Sequence, residues 1–136
     1  MATTSKFDFG LINDQIKAQS DQIANLGEKL EVSYENLDYS SATGAQILCT
    51  LTISPGRWLL IGRVSINIAD AVELNPEIIG LNVSNYSASN SAIKNGGWQN
   101  SLGYVDTSET ITLSLKEYIY VQSNKYRCKL IAIRLK

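Results

Sequence analysis

The chain has no histidine, and that absence alone excludes much of enzymology. It removes the usual general base, the commonest metal ligand and every triad that depends on an imidazole. The carboxylates are scattered, and none falls in a motif. Asp70, Glu73 and Glu77 bracket one loop in the manner of an oxygen-lined Ca²⁺ site, but they read more simply as solvated loop acids. No glycine pattern of the phosphate-cradling kind occurs. The sequence therefore nominates no catalytic residue, no metal and no cofactor, and the expectation is a protein that is not an enzyme.

Charge of one sign is missing too. Twelve basic and thirteen acidic residues are interspersed, for a net charge of −1. A nucleic-acid binder would carry a basic stripe, and a membrane-surface protein a basic cluster. No apolar run reaches the roughly 20 residues of a membrane helix, so no membrane insertion is expected. The opening segment MATTSKFDFGLINDQ lacks the apolar centre of a secretory signal, which points to production in a cytosol. The two cysteines, Cys49 and Cys128, fall in apolar alternating stretches and read as buried free thiols rather than a disulfide. Asn82-Val-Ser84 and Asn85-Tyr-Ser87 match the glycosylation acceptor pattern, which without a secretory route is chance.

What is present begins with Ala45–Ala69, AQILCTLTISPGRWLLIGRVSINIA. Ile47, Cys49, Leu51 and Ile53 alternate with Leu48, Thr50 and Thr52, a strand period of two. Pro55 presets φ for a reversal and Gly56 tolerates a positive value. Beyond the turn Trp58, Leu60, Val64, Ile66 and Ile68 share a face, interrupted by Gly62. The opposite face holds Arg57, Leu59, Ile61, Arg63, Ser65 and Asn67. Leu59 and Ile61 are apolar where a free-standing sandwich shows polar residues, which suggests either a covering sheet or a subunit contact, and the contact is the expectation.

Earlier in the chain a heptad pattern runs from Phe9. Phe9, Ile16, Ile23 and Leu30 take a positions, and Ile12, Gln19 and Leu26 take d positions. Asp14, Lys17, Asp21 and Glu28 lie outside. Isoleucine at the seam leans towards three strands, and Gln19 would fix register. So short a helix forms only when neighbours pack on it; the alternative is a single amphipathic helix folded onto the following domain. Glu31–Thr43 reads as a short strand and loop, Asp70–Pro76 as a loop, and Glu77–Ser84 as a strand with Ile79, Leu81 and Val83 on one face. Asn85–Asn100 is rich in Asn, Ser and Gly and reads as turns. Trp98–Val105, Glu109–Leu115 (Ile111, Leu113 and Leu115 inward), Tyr118–Ser123 and Arg127–Leu135 follow as strands. Six to eight strands and no further helical period mean an antiparallel sandwich. The length fits one compact domain with an appendage. The expected organisation is an attachment segment at 1–10, a coiled-coil stem at 11–31 and a β head at 32–136.

The block Ser54-Pro55-Gly56-Arg57-Trp58 before a long apolar strand resembles the complement globular-head and tumour-necrosis-factor-like jelly rolls. LTISPGRWLLIGRVSI is more specifically similar to fibre and receptor-binding heads of bacteriophages. TITLSLKEYIYVQS and the closing IAIRLK are similar to the end of such domains, so the resemblance spans about Ile47 to Lys136. It implies a mainly β, antiparallel jelly-roll β-sandwich head of the ten-strand type, a tight homotrimer with an apolar axis, and a fibrous stem before it. The short stem and the lack of a collagen-like repeat favour a virion part over the complement type. Carried onto this chain, Trp58 becomes a core or interface aromatic, and Tyr118 and Tyr120 join Leu59 and Ile61 at the trimer interface; the alternative is that the two tyrosines are exposed on a sheet face. The expected role is a phage fibre or spike, assembled in the host cytoplasm, joined through its N-terminus to other virion proteins. Host-receptor contacts would come from Tyr86, Asn90, Lys94, Asn95, Trp98 and Asn100, an aromatic plate with amide donors suited to cell-surface glycan. The same residues also read as a solvated loop with Trp98 folded inward. A purely structural virion decoration and a bacterial jelly-roll carbohydrate-binding module are the rival functions.

Overall fold

The computed structural model describes residues 27–87 and 96–135. Among them the chain is mainly β, with eight strands in two antiparallel sheets and no helix. The strands are β1 (Lys29–Leu37), β2 (Gly44–Ile53), β3 (Gly56–Ile66), β4 (Glu77–Ile79), β5 (Ser84–Ser87), β6 (Trp98–Thr107), β7 (Ile111–Ile119) and β8 (Tyr126–Leu135). One sheet has the order β1-β8-β3-β6-β5 and the other β2-β7-β4. The pairings nest: β1 with β8, β2 with β7 and β3 with β6, as when one long hairpin is folded back over itself.

The core lies between the sheets and follows from the period of two. Trp58, Leu60, Val64 and Ile66 of β3 are buried, as are Ile111, Leu113, Leu115 and Ile119 of β7 and Tyr126, Cys128, Leu130 and Ala132 of β8. Gly62 falls in the buried row of β3 for a steric reason. A Cβ there would lie 2.7 Å from Leu115 Cδ1 and 3.1 Å from Ile78 Cγ1, so the facing sheet closes directly on the β3 backbone. At the β2–β3 turn Gly56 has φ +142°, and a Cβ on it would strike the Arg134 guanidinium. Arg134 occupies that space and donates from Nη1 to the Pro55 carbonyl (2.9 Å) and from Nη2 to Ser54 Oγ. Its Nε pairs with Glu28 at 2.8 Å, and the guanidinium lies 4.5 Å from the centroid of the Trp58 ring. Trp58 Nε1 in turn donates to the Ser54 carbonyl at 2.9 Å. The Pro-Gly reversal is thus clamped from both sides by a cation and an indole.

Several expectations change. Ile47 does not share a face with Cys49: a bulge between them turns Leu48 and Cys49 both inward and leaves Ile47 at 47% exposure. Pairing in β4 ends at Ile79 and Gly80–Asn82 turns there with Asn82 at φ 58°, so the expected strand does not run on to Ser84 and Leu81 stands exposed at the turn. Tyr118–Ser123 is not a separate strand; β7 carries on to Ile119. Eight strands are described rather than ten. Leu30 is not in a helix but in β1, where it pairs with Ala132 and packs on the core. The β-domain therefore begins by Lys29, taking three residues from the expected stem. The remaining heptad positions, Phe9, Ile12, Ile16, Gln19, Ile23 and Leu26, lie outside the described residues. Cys49 and Cys128 are free and buried. Cys128 Sγ donates towards the Leu48 carbonyl (3.9 Å), while the hydrogen bond with Cys128 and burial push the Cys49 thiol up. Both thiols are buried between the sheets, away from any solvent-borne electrophile.

Candidate functional site

The outward face of the five-stranded sheet divides into two zones. Strand register sets side chains of neighbouring strands in cross-strand rows. One row runs Ile133–Leu59–Tyr104 across β8, β3 and β6, and the next runs Ile131–Ile61–Leu102. Leu59, Ile61, Ile131 and Ile133 are half-buried by one another, whereas Leu102 and Tyr104 stand 50% and 40% exposed. Leu59, Leu102 and Tyr104 line a shallow, open depression with Ser84 and Gly103. Tyr86 pairs with Leu102 in the β5–β6 register. Two adjacent apolar rows on an outward sheet face form a contiguous patch of the kind that marks interaction sites.

Towards the other end of the same face the rows turn polar. Arg127–Ser65–Trp98 and Lys129–Arg63–Asn100 follow across β8, β3 and β6. The Arg63 and Arg127 guanidinium carbons lie 4.8 and 4.6 Å from the centroid of the Trp98 ring. Arg63 Nε donates to Asn100 Oδ1 at 2.8 Å. Arg127 Nη2 donates to Ser65 Oγ at 2.9 Å and to the Gly96 carbonyl at 2.7 Å. Beneath this roof Ser65, outward by register, is fully buried, and its hydroxyl donates to the same carbonyl at 3.1 Å.

Tyr118 and Tyr120 stand elsewhere, on the outward side of the three-stranded sheet. Their rings are 4.4 Å apart and tilted by 37°, with Tyr120 76% exposed. With Ala45, Asn75 and the Lys116–Glu77 ion pair (2.9 Å) they line an open cleft of about 250 Å³. The expected interface residues Leu59 and Ile61 are thus brought together, and the two tyrosines form a second, separate surface. Of the expected glycan-contact residues, Trp98 and Asn100 share the polar rows. Asn90, Lys94 and Asn95 lie outside the described residues.

Between the sheets lies a group that sequence reading passed over. Glu117 continues the inward row of β7 and is 1% exposed. Its two oxygens accept the Asn75 backbone N–H at 2.9 and 3.1 Å, anchoring the loop before β4. Burial pushes its carboxyl from an ordinary 4.5 up to about 7, outweighing the backbone hydrogen bonds that favour the charge. Burial, followed by the Glu117 charge, raises the Tyr126 phenol to about 12. Tyr126 donates to the Val121 carbonyl at 2.6 Å and meets Tyr39 edge to face. Counting by twos from Ile111 reaches Glu117, so the signal was present in the β7 sequence.

A raised carboxyl pKa means the folded state holds the proton more tightly than the unfolded chain does. Stability from this group is therefore full below about pH 4.5 and is lost as pH rises towards 7. Glu117→Gln keeps an acceptor for Asn75 without a charge to bury. The variant should unfold with a flatter dependence between those pH values and be more stable than the parent above pH 7, by on the order of 1–3 kcal/mol. Denaturant titrations at several pH values check this; parallel curves for variant and parent would mean that Glu117 is ionised without penalty.

Among the described residues no group of three or more metal-ligating side chains occurs, and no helix is long and apolar enough to cross a membrane. No protein-family model and no curated protein matches the chain.

Proposed function

We propose that the chain is a homotrimeric bacteriophage fibre or spike protein, a jelly-roll head on a short coiled-coil stem that binds a host cell-surface glycan. The observation that carries the reading is the pair of rows Ile133–Leu59–Tyr104 and Ile131–Ile61–Leu102, aliphatic and aromatic side chains on a sheet face that in a lone subunit meets water. Obligate oligomer interfaces are apolar in this way. The nested strand order supports the jelly-roll assignment, with β5 paired to β6 at the sheet edge. The heptad pattern at positions 9–26 supports a stem that ends before the start of β1. A closed three-fold ring uses two different patches on each subunit, and the Tyr118–Tyr120 surface is the second patch available.

The mechanism is avidity. Three identical weak sites on one rigid trimer raise apparent affinity by about 10²–10⁴ without any strong single contact. Labelled protein is to be tested for adsorption to a panel of bacterial cells beside a variant made monomeric. The parent should adsorb to some strains, saturably and with competition by their isolated surface polysaccharide, and the monomer at least about 100-fold more weakly. Trimers that adsorb to none of the panel would leave a structural virion role in place of receptor binding.

A further inference from the structure

We propose that the block Arg127–Ser65–Trp98 and Lys129–Arg63–Asn100 on the outward face of the five-stranded sheet binds an oxyanion, a carboxylate or phosphate, carried on a sugar. As a receptor contact this rests on the host-binding reading above; the anion site itself stands on the geometry.

Three cations meet in this block without an acid. Lys129 lies directly opposite Arg63 in the β3–β8 register, and Arg127 is two residues along β8 on the same face. Like charges opposite one another across strands are destabilising. The ion pairs among the described residues are Lys29–Glu31, Lys116–Glu77 and Arg134–Glu28, so none reaches these three. No Asp or Glu occurs between Glu77 and Asp106, and of the acids on the β1 side Glu31 pairs with Lys29 while Glu35 forms no ion pair with these three. On the β1 side Lys129 faces Ser33.

The guanidiniums are nonetheless held in place. Trp98 supplies a ring face to both, Asn100 fixes Arg63 through Nε, and the Gly96 carbonyl fixes Arg127 through Nη2. Arg63 keeps its two terminal nitrogens without a hydrogen-bond partner among the described residues, and Lys129 keeps its ammonium. A planar guanidinium edge and an ammonium side by side suit an oxyanion, the first as a fork and the second as a point charge. Ordering of this kind lowers the cost of binding. In a chain of net charge −1 the local excess of positive charge is what an anion would neutralise. Asn100 and the Trp98 edge then face the sugar that carries it.

The test is calorimetric titration of the intact protein with glucuronic acid, glucose 6-phosphate and glucose, with indole fluorescence as a second readout. At least one of the two acids should bind saturably in the millimolar range, weaken as salt is raised and perturb indole emission, while glucose does neither. Whichever acid binds more tightly identifies carboxylate or phosphate as the natural group. Arg63→Gln and Lys129→Gln should each weaken binding about tenfold or more, and Lys129→Gln should melt no lower than the parent, since it relieves a like-charge contact. Equal binding of glucose, absence of binding by both acids, or unchanged affinity in both variants overturns the site. A parent that adsorbs to cells no better than Lys129→Gln overturns its role in the receptor contact and leaves host binding standing. Sugar-acid binding by a protein that adsorbs to no cell supports the site and removes the host-binding reading instead.

Discussion

Trp58→Ala should cost about 3–5 kcal/mol of stability, a large share of the 5–15 kcal/mol typical of a domain. The indole is fully buried between the sheets, so truncation leaves a cavity that β-sheet backbone on both sides cannot collapse to fill. It also leaves the Ser54 carbonyl without its 2.9 Å donor and the Arg134 guanidinium without its ring. The turn that reverses β2 into β3 is therefore loosened together with the core. Trp58→Phe separates the effects: most of the volume stays, the hydrogen bond goes, and roughly 1 kcal/mol is expected from that loss. Thermal melts followed by circular dichroism should show Trp58→Ala lower by roughly 10 °C or more, with Trp58→Phe between it and the parent. A melt within a degree or two of the parent would mean that the ring is not where the sandwich is held together.

The second large effect concerns assembly. Leu59→Asp with Ile61→Asp should convert the proposed trimer into folded monomers. Both side chains lie on the outward face, so the inward row of β3 keeps its packing and the subunit stays folded. Each carboxylate would be buried against a neighbouring subunit without a partner, at about 3–5 kcal/mol per uncompensated charge. The proposed stem, with so few heptads, is not expected to hold three chains together unaided. Leu81→Asp is the control, an equally apolar exposed residue but at a turn outside the rows; it should leave the trimer intact. Light scattering at micromolar concentrations distinguishes the species. A double variant as trimeric as its parent would move the subunit contact off this sheet.

The sequence was most legible where a period of two ran unbroken. The inward rows of β3 and β7 follow from alternation alone, and the reversal at Ser54-Pro55-Gly56 follows from Pro and Gly chemistry. It was least legible where the ladder slips. The bulge at Leu48 moves Ile47 outward, and no residue type announces it, because Leu48 and Cys49 are both apolar. The end of β4 was hidden for a similar reason: Leu81 and Val83 keep the apolar rhythm through a turn. Start positions of elements were equally blind, since Leu30 satisfies a heptad and a strand alternation at once. Assembly of the polar rows needed the sheet order. Arg63, Trp98 and the Arg127–Lys129 pair are far apart in the chain, and only pairing of β3 with both β6 and β8 brings them together.

Sedimentation equilibrium of the full chain addresses the outward apolar rows most directly. Association through them gives a single species of about 45 kDa, three times the 15.0 kDa of one chain, persisting into the low micromolar range. A well-behaved species at 15.0 kDa across that range, soluble and cooperatively folded, would show that Leu59, Ile61, Leu102 and Tyr104 remain in contact with water.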